Sequence, residues 1–371
     1  MTIEPIKMPK WGLAMEEGKI VEWHVQEGDQ ISEGDDLVDI ETSKMINACE
    51  AHQDGILRRI IAESDQTLPV GALIGVMAGS DVSEAEIDAY VEEYQTSFDP
   101  NEASGEAAGP EIRTVEVFGR TLRVGVMGED LPGTPIVLLH GFGGDLNNWM
   151  LVQPSLAETR PVYAIELPGH GQSAKDVGDG KLGTIATGIV AAIDALGLES
   201  FSLVGHSLGG AIAAEVAART GSRVKGLGLV CPASMPGGSI NADYLDAFVS
   251  ARRSRDLREP AKNLFADESF VTRDMLEDLI KAKRLDGAQD ALTLIKDNLK
   301  GADPAYAGLG DRLSTIAAPI ILIASKTDQI VGAPNPSAFP DGTKSVWIEE
   351  VGHMPHLEKS GDVSTALKEL A

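Results

Sequence analysis

A chain of 371 residues exceeds what one hydrophobic core ordinarily organises, so its length predicts more than one domain. Its 43% hydrophobic content suffices for globular cores, and no apolar run is long enough to span a membrane. The formal charge of −26 works against nucleic acid and anionic membranes as partners, because both are polyanions. The opening residues, MTIEPIKMPKWGLAMEEG, lack the basic and then apolar layout of a secretion signal. Cys49 and Cys231 stand far apart, in what read as separate domains. These features predict a cytoplasmic protein with neither a disulfide framework nor a metal site.

Residues 1–79 read as short strands punctuated by glycine and acidic turns. Residues 21–25 and 36–40 alternate between apolar and polar types. Glu27-Gly28-Asp29-Gln30 is echoed by Glu63-Ser64-Asp65-Gln66, and Gly34-Asp35-Asp36-Leu37 by Gly71-Ala72-Leu73, with a slip of about one residue between the matches. Such near-duplication predicts a small two-sheet β module with pseudo-twofold symmetry. Midway between the echoes lies Ile40-Glu41-Thr42-Ser43-Lys44-Met45.

The run EGDQISEGDDLVDIETSK, with Trp11-Gly12 and Glu16-Glu17-Gly18 ahead of it, resembles the lipoyl domains of 2-oxo acid dehydrogenase complexes. The resemblance implies a barrel-sandwich fold in which Lys44, at a hairpin tip, carries lipoic acid in amide linkage. Related biotinyl domains place methionine on both sides of their lysine, whereas here Met45 follows but Ser43 precedes. The alternative is a solvated turn lysine with no cargo. Residues 1–80 hold 15 acidic against 6 basic residues, an excess that steers such a module toward basic rims on client enzymes.

Residues 80–112 read as an acidic linker with a short helix. Ser83 and Glu86 are spaced as a capping box, and Ile87, Tyr90, Val91 and Tyr94 fall on one helical face. That face either packs on its own chain or docks a partner enzyme. Residues 100–110, PNEASGEAAGP, are small and acidic and read as a flexible tether.

From residue 113 strands and helices alternate, which predicts a parallel sheet covered on both faces. An opening hairpin turns around Gly119-Arg120. Apolar strands follow at 135–139, 162–165, 201–204, 226–230, 319–324 and 344–348, with a helix over about 183–197. Residues 234–310 interrupt the alternation with helical segments and read as a lid over the strand ends. Phe201-Ser202-Leu203-Val204 runs into Gly205-His206-Ser207-Leu208-Gly209, a G-x-S-x-G turn from strand to helix.

HGFGG (140–144), LPGHGQS (167–173), GHSLGG (205–210), SKTDQIV (325–331) and VGHMPHLE (351–358) together resemble the α/β-hydrolase superfamily over residues 113–371. Ser207, Asp328 and His353 stand in that superfamily's chain order. The resemblance implies Ser207 as nucleophile, His353 as its base and Asp328 as the group that orients the imidazole. It places the oxyanion hole at the backbone N–H groups of Phe142 and Leu208. His206 reads as the variable elbow residue, His170 as a turn residue, His140 as a brace for the oxyanion loop and His356 as a helix-start residue. Glu166 stands where the superfamily often has aspartate, a departure expected to affect only local turn geometry.

A lipoyl-like module joined to an α/β-hydrolase domain resembles the acetyltransferase family of bacterial acetoin dehydrogenase systems. The H-x-x-x-D-G motif of the trimer-forming acyltransferases is absent from the chain. The resemblance implies a thiamine-dependent acetoin-cleaving partner that loads the lipoyl arm and a dihydrolipoamide dehydrogenase that reoxidises it. Coenzyme A is the implied acetyl acceptor. Arg252, Arg255 and Arg258, spaced along the lid's basic stretch, either meet coenzyme A phosphates or form a solvated helix face. Two other readings stand beside this one: a thioesterase or carboxylesterase carrying a lipoyl module, and a lipoyl carrier whose hydrolase fold is only a docking scaffold.

Overall fold

The computed structural model describes residues 3–9, 11, 15–42, 46–51, 53–98 and 109–370. The chain divides into two compact units, Met1–Gly109 and Pro110–Ala371. Much of the stretch that reads as linker therefore belongs to the first unit.

Among the described residues the first unit is built from β1 (Glu4–Lys7), β2 (Glu17–Trp23), β3 (Gln30–Ile31), β4 (Asp36–Glu41), β5 (Ile46–Glu50), β6 (Gly55–Ile60), β7 (Thr67–Pro69) and β8 (Leu73–Ala78). They form two antiparallel sheets, ordered β1-β8-β6-β3 and β5-β4-β2-β7. Ile20, Ile40, Leu57 and Ile74, drawn from both sheets, are fully buried in one core cluster. The twofold is plainest in the turns. Gly28 N–H bonds Leu57 C=O at 2.7 Å, and Asp65 N–H bonds Ile20 C=O at 2.8 Å. The return bonds run from Leu57 N–H to Asp29 C=O and from Ile20 N–H to Gln66 C=O. Asp65 thus takes the place of Gly28, one residue off the sequence echo. Both are left-handed, at φ 69° and 98°, a conformation glycine adopts freely and aspartate tolerates.

β4 and β5 pair antiparallel with Glu41 opposite Ile46. Lys44, between them in the chain, lies outside the described residues with Ser43 and Met45. After β8, α1 (Glu84–Ser97) starts on the capping box: Ser83 Oγ accepts from Glu86 N–H, and the Glu86 carboxylate accepts from Ser83 N–H. Ile87 is buried against Leu73, Val76 and Val82, and Tyr94 Oη donates to Gly71 C=O at 2.9 Å. Arg59 on β6 pairs with Asp88 at 2.9 Å. The apolar face of α1 therefore packs on its own unit. Residues 100–108 of the expected tether lie outside the described residues.

The second unit holds one sheet built from β9 (Glu111–Val117), β10 (Arg120–Met127), β11 (Ile136–Leu139), β12 (Val162–Ile165), β13 (Phe201–His206), β14 (Val224–Val230), β15 (Ile320–Ala324) and β16 (Lys344–Trp347). Its order is β16-β15-β14-β13-β11-β12-β10-β9. The strands from β11 to β16 are parallel, and β9 and β10 join antiparallel at one edge. β11, β12, β13 and β15 are buried at every residue, which is why they read as continuous apolar runs. α2 (Leu182–Ala195) buries Ile185, Ile189 and Ile193, and α3 (Leu208–Thr220) follows the elbow. The strand order reverses beside β11, with β12 on one side and β13 on the other, and such a switch point opens a crevice at the strand ends.

Between β14 and β15 the chain inserts α4 (Ala242–Ser250), α5 (Ser254–Lys262), α6 (Arg273–Lys283) and α7 (Ala288–Asp297), then shorter helical turns to Leu313. The second unit is thus a mostly parallel α/β sheet with a helical insertion, and the first a two-sheet β module, the architecture that the sequence resemblances imply.

Candidate active site

β13 ends at His206 and α3 begins at Leu208, so Ser207 alone makes the turn, at φ 52° and ψ −119°. A side chain held there stores strain of order 1–3 kcal/mol, sustained only by its surroundings. Ser207 N–H bonds Val230 C=O at 3.0 Å, and Ser207 C=O accepts from Gly210, Ala211 and Ala233. A Cβ added at Gly205 would fall 2.2 Å from the Gly209 carbonyl oxygen, and one at Gly209 would fall 2.3 Å from that of Leu139. Both glycines flanking the serine are thus required by backbone contact.

The loop after β11 closes on this elbow. Gly144 N–H bonds Gly141 C=O at 3.1 Å, with Gly143 at φ 75°, as a type II turn demands at its third position. A Cβ on Gly141 would lie 3.1 Å from Ser207 Cβ and 2.7 Å from His206 Nδ1. Phe142, the turn's second residue, and Leu208, the first residue of α3, therefore stand on loops that meet at Ser207. As the first helical residue, Leu208 has no carbonyl within α3 for its N–H to bond. His140 braces the turn: Nδ1 donates to Gly141 C=O at 2.8 Å, and Nε2 accepts from Leu167 N–H at 3.0 Å. Burial pushes its pKa down to about 4, so the ring is neutral at physiological pH.

Asp328 and His353 meet directly. His353 Nδ1 lies 2.8 Å from Asp328 Oδ2, with both side chains almost wholly buried. Asp328 Oδ1 accepts from the N–H groups of Ile330 (2.8 Å) and Val331 (3.0 Å). Burial opposes ionisation of this carboxyl, but the His353 ring and the N–H groups of Val331 and Ile330 outweigh it and hold the pKa below the usual range. The His353 backbone is fixed from two sides. Its N–H donates to Leu264 C=O at 2.7 Å, and its C=O lies 2.8 Å from His206 Nε2. The residue preceding Ser207 thus holds the chain that carries His353.

Sequence reasoning missed that contact of His206. Its ring also packs on His353 and His356, at centroid distances of 4.7 and 4.3 Å. Only a map of which strands adjoin would have found it. Cys231, just past β14, was equally silent in the sequence. Its Sγ, an Asp328 oxygen and a His353 ring nitrogen all lie within 4.8 Å of one another. Burial first, and then the charge of Asp328, push this thiol's pKa well up, so it stays neutral.

The contacts of Glu166 with residues 171–173 lie within its own turn, in keeping with the expected effect on local turn geometry. Its Oε2 accepts from Gln172 N–H at 2.6 Å and Ser173 N–H at 2.8 Å, and Ser173 Oγ donates to its C=O. The longer side chain fills the space that a Cβ on Gly171 would need, 2.1 Å from Oε1.

The basic stretch is not one helical face. Arg252 lies ahead of α5, because the chain there is extended through Arg253, and its guanidinium donates to Gln289 and Val249. Arg255 and Arg258 are exposed on α5, and the acidic residues Asp256 and Glu259 alternate with them. The insertion does reach the site elsewhere. Phe248 on α4 meets the Phe142 ring at 5.6 Å, and Glu358 accepts from both Ala266 and Gly352 N–H.

Residues 136–366 match the α/β hydrolase family, and residues 4–77 match the biotin/lipoyl family described as biotin-requiring enzyme. The chain is similar to the dihydrolipoyllysine-residue acetyltransferase component of the acetoin cleaving system of Pseudomonas putida, with 40% identity over 98% of this chain and 96% of that one. It is 39% identical to the protein of the same name from Cupriavidus necator, over 99% of this chain and 97% of the relative. Among solved structures, a meta-cleavage product hydrolase from Pseudomonas fluorescens superposes at a TM-score of 0.62 with 21% identity, covering 70% of this chain and 96% of that one, a likeness of fold alone. The chain belongs to the α/β hydrolase family and, with its β module, to the dihydrolipoyllysine-residue acetyltransferase components of acetoin cleaving systems.

Proposed function

We propose that the protein moves an acetyl group from a lipoyl arm on Lys44 to coenzyme A through Ser207, within an acetoin-cleaving system. The observation that carries this reading is the pairing of His353 with Asp328 at 2.8 Å, on a loop tied to the residue before the strained Ser207. The pairing of β4 with β5 around residues 42–45 suits a lysine presented on a hairpin, and a lysine amine is the group lipoic acid acylates. Bound there, a dihydrolipoyl arm supplies the acetyl thioester.

In this mechanism His353 removes the Ser207 Oγ proton as the oxygen attacks the thioester carbonyl. Asp328 fixes the imidazole tautomer and stabilises its charged form. The N–H groups of Phe142 and Leu208 bind the carbonyl oxygen as charge develops on it. His353 would give that proton to the leaving thiol as the carbon–sulfur bond breaks, and Ser207 would be left acetylated. His353 then removes the coenzyme A thiol proton, the sulfur attacks the acetyl-serine, and the proton returns to Ser207 Oγ. Water must be kept out for transfer to win over hydrolysis, and the contact of Phe248 on α4 with Phe142 supports the α4–α7 insertion as that barrier.

The partners are then a thiamine-dependent acetoin-cleaving enzyme and a dihydrolipoamide dehydrogenase. The first unit's excess of acid suits basic docking rims on both. No described helix is long and apolar enough to cross a membrane. The test is acetyl-dihydrolipoamide given to the protein with and without coenzyme A. The expected result is acetyl-CoA formation that falls to the uncatalysed exchange rate in Ser207→Ala. Free acetate released equally with and without coenzyme A would make the protein a thioesterase. Transfer unchanged by Ser207→Ala would leave the hydrolase fold as scaffold.

A further inference from the structure

The loop that carries His353 is held by the helical insertion as well as by the sheet. His353 N–H donates to Leu264 C=O at 2.7 Å, and Leu264 lies just past α5, inside the insertion. A Cβ on the preceding Gly352 would fall 2.7 Å from that carbonyl oxygen and 2.7 Å from the Phe265 carbonyl carbon. Only glycine lets the two backbones come this close. Leu264 and Phe265 are buried, and the Phe265 ring stacks on Phe270 at 5.4 Å, so the insertion's side of the contact is itself fixed.

Glu358, at the end of the helical turn Pro355–Glu358, spans the same junction. Its Oε2 accepts from Gly352 N–H at 2.7 Å. Its Oε1 accepts from Ala266 N–H at 2.6 Å and, at the longer distance of 3.4 Å, from Asp267 N–H. No cation pairs with this half-buried carboxylate among the described residues, and backbone N–H groups take both its oxygens. One oxygen thus holds the residue before the catalytic base, and the other holds the insertion.

We propose that Glu358 is a positioning residue, a strut that sets the His353 imidazole only while the insertion is seated on the His353 loop. The inference rests on the reading of His353 as the base of acetyl transfer, and it adds a second guard against hydrolysis. When the insertion lifts and water enters, His353 N–H loses Leu264 C=O and Glu358 loses its anchor at Ala266. The wet site then lacks a well-placed base, so acetyl-serine survives until the insertion is seated again.

The test is steady-state transfer from acetyl-dihydrolipoamide to coenzyme A by the full chain. Glu358→Gln keeps the shape but turns one acceptor into a donor, so one end of the strut meets an N–H group with an N–H group whichever way the amide turns. Glu358→Asp keeps the charge but is one methylene shorter, so it cannot reach both ends. Each is expected to lower kcat about 10- to 100-fold with KM within about twofold of the parent. Amide exchange should quicken at residues 264–267 and 351–354 in both variants and stay as in the parent elsewhere in the hydrolase unit. Parent kcat in either folded variant overturns the proposal. So does a fall in kcat with exchange quickened across the whole unit, which would make Glu358 a general prop of the fold. Ser207→Ala, assayed alongside, separates this from the broader reading. Full transfer by Ser207→Ala sinks the catalytic reading, whereas an inactive Ser207→Ala beside a fully active Glu358→Gln sinks the role of Glu358 alone.

Discussion

At the residue scale, the elbow explains why so little of GHSLGG can vary. Gly209→Ala would drive a methyl into the Leu139 and His140 carbonyl oxygens, which are backbone atoms without room to yield. The expected cost is about 3 kcal/mol or more, seen as a lowered thermal midpoint together with lost activity. Asp328→Asn is expected to keep the fold and lower kcat by about 10³- to 10⁴-fold, as removal of the imidazole's anionic partner does elsewhere. Normal kcat in that variant would remove Asp328 from the mechanism. His206→Phe keeps the ring's bulk but deletes its hydrogen bond to the His353 carbonyl, so kcat should fall with KM little changed. The elbow glycines, the HGFGG turn and the Ser207, Asp328 and His353 positions are legible in the sequence because each sits at a strand end with local backbone demands. The parts played by His206 and Cys231 are not, because adjacency of β13, β14 and β15 creates them. The alternation of the arginines likewise suggests a helical face that the extended chain at Arg253 breaks.

At the element scale, four buried histidines make the hydrolase unit acid-sensitive. Burial depresses the pKa values of His140 to about 4, of His170 and His356 to about 3, and of His206 well below its usual value. The unfolded chain takes these protons near pH 6.5 while the folded chain refuses them, so the unfolded state binds more protons below that pH. Stability is therefore flat in this respect above pH 6.5 and falls as pH drops, by up to about 1.4 kcal/mol per unit for each ring. His356 is fully buried against Trp149 and His206, and neither of its nitrogens has a partner among the described residues. His356→Phe should accordingly flatten the fall of the thermal midpoint between pH 7 and 5. An unaltered slope would mean that the ring already titrates in the folded state.

The helix α1 offers a different check. Ser83→Ala removes its cap, at about 1 kcal/mol, and should speed amide exchange across residues 84–97 of the full chain. Its capping box is readable from residue spacing. Its packing partner is not, because Ile87 could equally have faced a second protein. The turn of the β module shows a similar limit: the echo is visible, but the backbone hydrogen bonds, not the sequence, show that Asp65 rather than Ser64 is the counterpart of Gly28.

At the scale of the whole molecule, the chain joins a β module of the biotinyl/lipoyl type to a hydrolase unit in one polypeptide. In the proposed cycle the module brings a tethered thioester, so the hydrolase unit needs no affinity for a diffusing ester. Lys44→Arg should therefore abolish acetoin-dependent acetyl-CoA formation in the reconstituted system yet spare transfer from free acetyl-dihydrolipoamide, and intact mass should show the loss of a lipoyl adduct. Loss of both activities would mean that Lys44 serves the fold rather than the cargo. The decisive step is acetylation of the serine. The protein incubated with acetyl-dihydrolipoamide without coenzyme A, then quenched and digested, should yield the peptide bearing Ser207 with an added acetyl group, which disappears when coenzyme A is supplied before quenching. Absence of that adduct, with acetyl-CoA still formed at the parent rate by Ser207→Ala, would contradict the mechanism.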